Sequence, residues 1–222
     1  MSIQANLKEI LSGIPKNVKL IAVSKFHSEQ SIMEAYDCGQ RIFGENKVQE
    51  MTQKHELLPK DIEWHFIGHL QKNKIKYIVP YVSYIHGVDS YELLKEINKL
   101  AAKANRSIPC LLQIHIAQEE TKFGLSFEEC RSILENEDWK LLENVSICGL
   151  MGMATNTDDN NLIKKEFSIL HSFFEELKSK YFKNADFFKE ISIGMSHDYQ
   201  LAIHEGSTMV RIGSKIFGER TY

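Results

Sequence analysis

Short runs of apolar, β-favouring residues alternate along the whole chain with longer segments in which apolar residues recur at helical spacing. The apolar runs predict eight strands, at Leu20–Ser24, Ile42–Gly44, Trp64–Ile67, Tyr84–Val88, Cys110–Ile116, Ile147–Met151, Ile191–Gly194 and Met209–Ile212. The segments before and between them predict helices at Ala5–Ser12, Glu29–Cys38, Lys47–Glu56, Asn73–Val79, Tyr91–Asn105, Phe127–Glu135, Leu162–Tyr181 and Tyr199–His204. Because alternating strands and helices form parallel βα units, this order predicts an α/β fold, a closed (β/α)8 TIM barrel, with a doubly wound open sheet as the alternative.

The helix starts and the missing linkers support one folding unit. Ser28, Ser90 and Ser126 each stand just before a helical segment, where a serine side chain caps the first backbone N–H groups. The chain has no proline-, serine- or glycine-rich linker and no internal repeat. With 222 residues and 43% hydrophobic residues, a single domain over residues 1–222 is expected.

Charge and composition exclude several classes of function. The net charge of −3 provides no bulk attraction to nucleic acid or anionic lipid, and the basic stretch "QKNKIK" is too short to change that expectation. The amino terminus carries Lys8 and Glu9 where a signal peptide needs an apolar segment, and no apolar run approaches the ~20 residues of a membrane span. We therefore expect a cytoplasmic protein with reduced cysteines that binds neither nucleic acid nor membrane.

The first strand ends in "SK", which places Lys25 where the active sites of such barrels lie, at the carboxyl ends of the strands. Apolar neighbours would disfavour its ammonium form, and the neutral amine that remains attacks carbonyl groups and can form a Schiff base. The alternative is a lysine that extends from the strand end into solvent.

The carboxyl-terminal stretch "SIGMSHDYQLAIHEGSTMVRIGSKIFGER" contains a candidate phosphate site. Ser196 follows the seventh strand and is expected to cap the next helix, while Gly213 and Ser214 form a turn after the eighth strand. Barrels of this type often bind phosphate with these two loops. An amine for an aldehyde opposite a site for a phosphate suggests pyridoxal 5'-phosphate (PLP), although serine and glycine are also ordinary loop residues.

Arg211 lies inside the last strand, in "MVRIG", where a buried guanidinium requires an acceptor. If it points into the barrel and faces a pyridine nitrogen, that nitrogen stays unprotonated and the ring is a weaker electron sink. The alternative is an outward arginine paired with a carboxylate such as Glu205.

Four stretches together resemble a known family: "IAVSK", "CGQRIFGENKVQE", "WHFIGHLQKNK" and the carboxyl-terminal stretch quoted above. They are similar to the YggS/PROSC family of PLP homeostasis proteins, whose fold is similar to the barrel domain of alanine racemases, and the match runs from Lys19 to Arg220. The resemblance implies that Lys25 carries PLP as an internal aldimine, that Arg211 faces the pyridine nitrogen, and that Asn46 lies near the ring. It also implies that the phosphate is bound by Ser196, Gly213 and Ser214.

Three further positions are expected near the candidate site, and two of them depart from the family's pattern. Lys47 stands where many family members have tyrosine, and His69 stands where proline or another residue is common. His69 is either a general base or a residue that caps a strand-end loop. Lys122, in "AQEETKFG", resembles the family's lysine-containing loop and is either a second amine that accepts PLP or a solvated loop lysine. The other histidines show no metal-binding spacing, so no metal is expected.

The resemblance implies a PLP-binding protein of intracellular PLP homeostasis. Alanine racemases place two bases on opposite faces of the substrate, the second with an additional domain, whereas this chain ends at Tyr222, just after the eighth strand. We therefore expect a protein that is not an enzyme and hands PLP to apo PLP-dependent enzymes, as a monomer or weak dimer. The alternatives are a weak PLP-dependent amino acid racemase and a Schiff-base aldolase acting on a sugar phosphate.

Overall fold

The computed structural model, which describes residues 2–119 and 123–218, contains a closed barrel of parallel strands. The strands are β1 Lys19–Val23, β2 Ile42–Glu45, β3 Glu63–Phe66, β4 Tyr84–Val88, β5 Ile108–Gln113, β6 Val145–Met151, β7 Glu190–Ser192 and β8 Met209–Ile212. Ala22 of β1 is in register with Phe43 of β2 on one side and with Ile212 of β8 on the other. Since an open sheet would leave two unpaired edges, the predicted barrel is confirmed and the open-sheet alternative is wrong.

One helix precedes β1 and the others follow the strands. They are α1 Ile3–Ser12, α2 Glu29–Asp37, α3 Val48–Leu57, α4 Ile75–Ile78, α5 Tyr91–Lys103, α6 Phe127–Glu135, α7 Asn160–Tyr181, α8 Tyr199–His204 and α9 Ser214–Phe217. The three predicted serine caps are confirmed, because the side chains of Ser28, Ser90 and Ser126 each accept a backbone N–H from three residues onward. No helix in the described part of the chain is long and apolar enough to cross a membrane.

Some predicted boundaries are wrong by a few residues. The helix predicted at Asn73–Val79 is a 3-10 turn at Lys72–Lys74 followed by the short α4. Strands β5 and β7 end earlier than predicted, because apolar residues such as Ile114 and Ile193 continue beyond the ladder as buried loop residues. Loops at a barrel end can be as apolar as strands when they cover the core, so hydrophobicity alone overestimates strand length.

The barrel interior is partly apolar and partly polar. Ile21, Leu111 and Met209 are among the buried residues that form an apolar cluster inside the barrel, separate from the larger core between strands and helices. Successive side chains of a strand point to opposite faces, so Arg211 shares the inner face of β8 with Met209. Arg211 is therefore the inner-face residue of β8 closest to the carboxyl ends of the strands, where the candidate site lies.

Candidate functional site

A cavity of about 400 Å³ opens at the carboxyl ends of the strands. Its walls come from the segments that follow β1, β2, β3, β5, β6, β7 and β8, together with the last residues of the barrel interior. The residues predicted to contact PLP all line this one cavity: Lys25, Asn46, Ser196, Arg211, Gly213 and Ser214. The structure thus brings together residues that are up to 189 positions apart in the chain (214 − 25). Their contact with PLP stays a prediction.

Lys25 follows β1 and is half-buried. The residue before it, Ser24, is fully buried, and its hydroxyl donates to Glu45 Oε1 at 2.6 Å. The buried ammonium of Lys54 donates to the Ser24 carbonyl at 2.8 Å and to the same Glu45 oxygen at 2.8 Å. Burial raises the pKa of the Glu45 carboxyl, and the Lys54 charge opposes that rise. The peptide on the amino side of Lys25 is therefore bonded to a buried ion pair.

The residue after Lys25 is also held in place. Phe26 has a left-handed backbone with φ of 68°, which is uncommon for a bulky residue without special support. Its backbone N–H donates to Glu50 Oε1 at 2.6 Å, and that oxygen also accepts from Lys54 Nζ at 2.7 Å. Charge-assisted hydrogen bonds therefore fix both peptides that flank Lys25.

Arg211 points into the barrel and is 4% exposed. Its Nη1 donates to the Ser192 carbonyl at 2.7 Å and to the Ser192 hydroxyl at 2.6 Å, and its Nη2 donates to the Gly152 carbonyl at 2.9 Å. Burial lowers the pKa of Arg211 to about 10, so the guanidinium is charged at neutral pH. The alternative of an outward arginine paired with Glu205 is wrong, because neutral acceptors inside the barrel bind the guanidinium.

A chain of hydrogen bonds continues from Arg211 through the barrel interior. The Ser192 hydroxyl lies 2.9 Å from His86 Nδ1, and His86 Nε2 lies 3.0 Å from His65 Nδ1. Arg211 only donates, so the Ser192 hydrogen is directed to His86 Nδ1, and His86 Nε2–H then donates to His65. In this arrangement both imidazoles are neutral. Burial lowers the pKa of His65 to about 3 and that of His86 well below its usual value.

The two buried histidines make stability depend on pH. The unfolded chain binds protons on both imidazoles below pH ~6.5, whereas the folded protein does not protonate His65 until the pH is near 3. The stability that the neutral histidines contribute is therefore fully present above pH ~6.5 and is lost as the pH falls. We expect His86→Gln to remove its own share of this loss, about 2 kcal/mol between pH 7.5 and 5.0. Urea unfolding of both proteins at the two pH values measures it.

The matched control for this prediction is His204→Gln, because His204 is exposed at the end of α8. This substitution should leave the difference in free energy of unfolding between the two pH values unchanged. If the free energies of unfolding of the wild type and His86→Gln depend equally on pH, His86 is protonated in the folded protein at pH 5.0. That result would contradict the hydrogen-bond directions described above, in which His86 is neutral.

The loops after β7 and β8 meet at one end of the cavity. The Gly213 N–H donates to the Ser196 hydroxyl at 3.2 Å, so the two predicted phosphate loops contact each other. The expectation that Ser196 caps a helix is wrong. Asp198 instead accepts the Met195 N–H through Oδ1 at 2.5 Å, closing a turn there, and α8 begins only at Tyr199. The Ser196 side chain is consequently directed to the β8 loop and the cavity.

Gly213 has a structural reason to be glycine as well. A Cβ at this position would lie 3.1 Å from the Val23 carbonyl oxygen at the end of β1, a contact that requires a shift of the backbone. The segment after β8, which the sequence predicted as a turn, is the short helix α9 beginning at Ser214. Close packing between Gly213 and β1 thus positions Ser214 at the mouth of the barrel.

Asn46 follows β2 and lines the cavity with a buried amide oxygen, Oδ1, that has no hydrogen-bond partner within the described protein. Buried polar atoms in folded proteins are normally paired, because an unpaired acceptor costs about 1–3 kcal/mol. A cavity occupant with a hydrogen-bond donor would satisfy this oxygen. The cavity thus combines an amine, two hydroxyls, a fixed guanidinium and an unpaired amide oxygen, a set that fits a small phosphorylated ring with polar substituents.

The entrance of the cavity carries aromatic side chains that the sequence did not single out. The half-exposed ring of Phe123 is stacked on His69 with ring centroids 4.2 Å apart, and His69 Nδ1 lies 2.8 Å from Asp89 Oδ2. Lys47 Nζ lies 4.8 Å from the centroid of the Phe26 ring. A base role for His69 stays a prediction, and Lys122 lies outside the described residues.

The sequence contains only weak signals for the functional residues that the sequence analysis did not single out. Glu45, Glu50 and Lys54 form a charged cluster below Lys25, in which Glu45 and Lys54 are buried. In the sequence, Glu50 and Lys54 are an i,i+4 pair of the kind found on exposed helix faces. His65 and His86 were noted only as histidines without metal spacing. A glutamate inside an apolar strand, at Glu45, was the one visible sign that a buried cation had to be present.

Comparison with known proteins places this geometry in context. The family model for the alanine racemase N-terminal domain matches residues 1–221. A pyridoxal phosphate homeostasis protein of Aquifex aeolicus is 40% identical over 206 residues, covering 92% of this chain and 88% of the relative. One of Schizosaccharomyces pombe is 36% identical over 228 residues, covering 98% and 90%.

Solved structures agree with the sequence comparison. PipY of Synechococcus elongatus with PLP bound superimposes with a TM-score of 0.89 at 35% identity, covering 98% of this chain and all of that one. Alanine racemase of Bartonella henselae, with covalently bound PLP, matches with a TM-score of 0.73 at 16% identity and over 63% of its length. The second likeness shows the fold alone.

Proposed function

We propose a function from the premise that the chain belongs to the alanine racemase N-terminal domain family and, within it, to the pyridoxal phosphate homeostasis proteins. The proposed function is that its cavity binds PLP and contributes to PLP homeostasis. The observation that carries the proposal is the convergence of Lys25, Arg211 and the segment Ser196, Gly213 and Ser214 on one cavity. The PLP bound by PipY, in a barrel of the same fold, supports it.

The residues present fit this ligand. PLP supplies, when bound, an aldehyde that reacts reversibly with primary amines. Lys25 is the amine that would form the covalent link, since it is half-buried at the carboxyl end of β1. The hydroxyls of Ser196 and Ser214 would donate to the phosphate, and Asn46 Oδ1 would accept a hydrogen bond from a ring substituent.

Arg211 would orient the pyridine ring. Its guanidinium is held by the Ser192 and Gly152 backbone carbonyls and the Ser192 hydroxyl, so it reaches the cavity in a fixed direction. A guanidinium cannot accept a proton, so a pyridine nitrogen facing it stays unprotonated. This arrangement retains the ligand but weakens its capacity to stabilise a carbanion.

We infer that the protein acts as a carrier of PLP that delivers it to apo PLP-dependent enzymes, rather than as an enzyme. Its relatives are named as homeostasis proteins, and the Arg211 arrangement disfavours carbanion chemistry. One observation favours the alternative of a weak amino acid racemase: His69, oriented by Asp89, lines the same cavity and could act as a base.

Two measurements on the PLP-loaded protein distinguish these functions. We expect racemisation or transamination of common amino acids slower than ~1 s⁻¹, the lower end of ordinary enzyme turnover. Mixed with an apo PLP-dependent enzyme, the loaded protein should lose its yellow colour as the recipient gains activity, and Lys25→Ala treated with PLP and desalted should activate nothing. Faster turnover would establish the racemase alternative, and failure to acquire any PLP would favour the aldolase.

A further inference from the structure

The proposed function does not use the charged cluster formed by the buried Glu45 and Lys54 and the partly buried Glu50. The side chain of Lys54 is 4% exposed and that of Glu45 is fully buried. Each of the three ammonium hydrogens of Lys54 has an acceptor: the Ser24 carbonyl, Glu45 Oε1 and Glu50 Oε1, all within 2.8 Å. All three hydrogens of the Lys54 ammonium are therefore hydrogen-bonded.

A buried ion pair of this kind is a poor way to gain stability. Removing charges from water costs free energy, and well-packed apolar side chains of similar size often make a protein equally stable or more stable. The geometry indicates a different role, because every contact of Lys54 leads to the segment around Lys25. One contact is direct, to the Ser24 carbonyl, and another runs through Glu50 to the Phe26 N–H.

The backbone conformation shows what these contacts maintain. Phe26 adopts φ of 68°, a region that bulky residues rarely enter, and its ring is half-exposed and contributes little burial to offset the strain. The Glu50 carboxylate accepts the Phe26 N–H in this turn. The Ser24 carbonyl also accepts the His27 N–H at 3.0 Å, which closes the turn, so the Lys54 and Glu50 contacts add to this backbone hydrogen bond.

We propose that Lys54 is a positioning residue for Lys25: through Ser24 and Glu50 it fixes the left-handed turn after β1 and so directs the Lys25 amine toward the end of the cavity formed by Ser196, Gly213 and Ser214. The proposal rests on the proposed function for the identity of the ligand. Its chemical consequence is selectivity, because a fixed amine reacts preferentially with an aldehyde whose phosphate is bound opposite to it.

The experiment compares two aldehydes at the same amine. Each variant is incubated with PLP or with pyridoxal, which lacks the phosphate, then reduced with borohydride, and the label on Lys25 is quantified by peptide mass spectrometry. The ratio of the two labelling rates is the readout, because any change in the intrinsic reactivity of Lys25 cancels in it. We expect Lys54→Met and Glu50→Ala to reduce this ratio about tenfold.

Three further variants make the test specific. Glu50→Gln keeps an oxygen that accepts the Phe26 N–H and should retain most of the wild-type ratio. Adding Phe26→Gly to Glu50→Ala should restore part of it, since glycine enters the left-handed region without strain. Glu56→Ala, on the exposed face of the same helix, should have no effect.

Each outcome has one meaning. A wild-type ratio near one would overturn the proposed phosphate site itself, independently of Lys54. A wild-type preference for PLP that persists in folded Lys54→Met and Glu50→Ala would overturn the positioning role. If Lys54→Met does not fold, the comparison of Glu50→Ala with Glu50→Gln decides, and equal ratios in these two variants would reject the proposal.

Discussion

Lys25→Ala will lose all covalent PLP label after borohydride reduction, while the wild type gains one phosphopyridoxyl group on the peptide containing Lys25. The reason is that Lys25 is the lysine of the described cavity lining, opposite Ser196, Gly213 and Ser214. The side chain is half-buried and lies at a strand end, so its truncation should change the free energy of unfolding by less than about 1 kcal/mol. Peptide mass spectrometry and a urea melt measure the two effects.

The matched control is Lys47→Ala, an exposed lysine at the start of α3 close to the Phe26 ring. This variant should be labelled on Lys25 as efficiently as the wild type. Full labelling of Lys25→Ala on any other lysine would contradict the assignment, and a label found on Lys122 would make Lys122 the primary amine.

Ser196→Ala combined with Ser214→Ala will weaken binding of PLP by about a hundredfold or more, and binding of pyridoxal much less. Each hydroxyl bond to a charged phosphate contributes about 1.5–3 kcal/mol, and pyridoxal has no phosphate to lose. The dissociation constants of the two ligands, measured by absorbance titration of the wild type and the double variant, show the difference.

Ser172→Ala combined with Ser179→Ala is the control, because both serines are exposed on α7 and donate to carbonyls of their own helix. Both ligands should bind this variant as they bind the wild type. An equal loss of PLP and pyridoxal affinity in the Ser196 and Ser214 variant would place the phosphate elsewhere in the cavity.

The elements and the location of the site follow from local properties of the sequence. Alternation of apolar runs with helical periodicity is encoded within windows of about 10–20 residues, so the eight strands and the barrel could be predicted without any contact information. Lys25 and Gly213 directly follow predicted strands, and parallel strands in a barrel have their carboxyl ends at one face. The convergence of these residues on one cavity was therefore predictable from their place in the strand order.

Side-chain partners depend on contacts that no local window contains. The sequence predicts that Ser196 caps a helix. In the structure, Asp198 accepts the Met195 N–H at that turn, and the Ser196 hydroxyl accepts the N–H of Gly213, 17 residues away. Arg211 could be inward or outward from its sequence alone, and the register of β8, with acceptors on β7 and after β6, decided its direction.

The charged residues near Lys25 show most clearly the difference between what the local sequence predicts and what depends on tertiary contacts. In the sequence, Glu50 and Lys54 form an i,i+4 pair typical of a solvated helix face, whereas Glu45 lies in a separate strand. Only when α3 packs beside the barrel do these charges meet beneath Ser24, where Glu45 and Lys54 are buried and Glu50 is partly buried. Hydrophobic periodicity is a property of one segment and can be recognised in that segment, while the burial and pairing of a charge depend on which other segments pack against it. The sequence alone thus determined the barrel and the face that carries the site. The tertiary structure decided how Lys25 is held there.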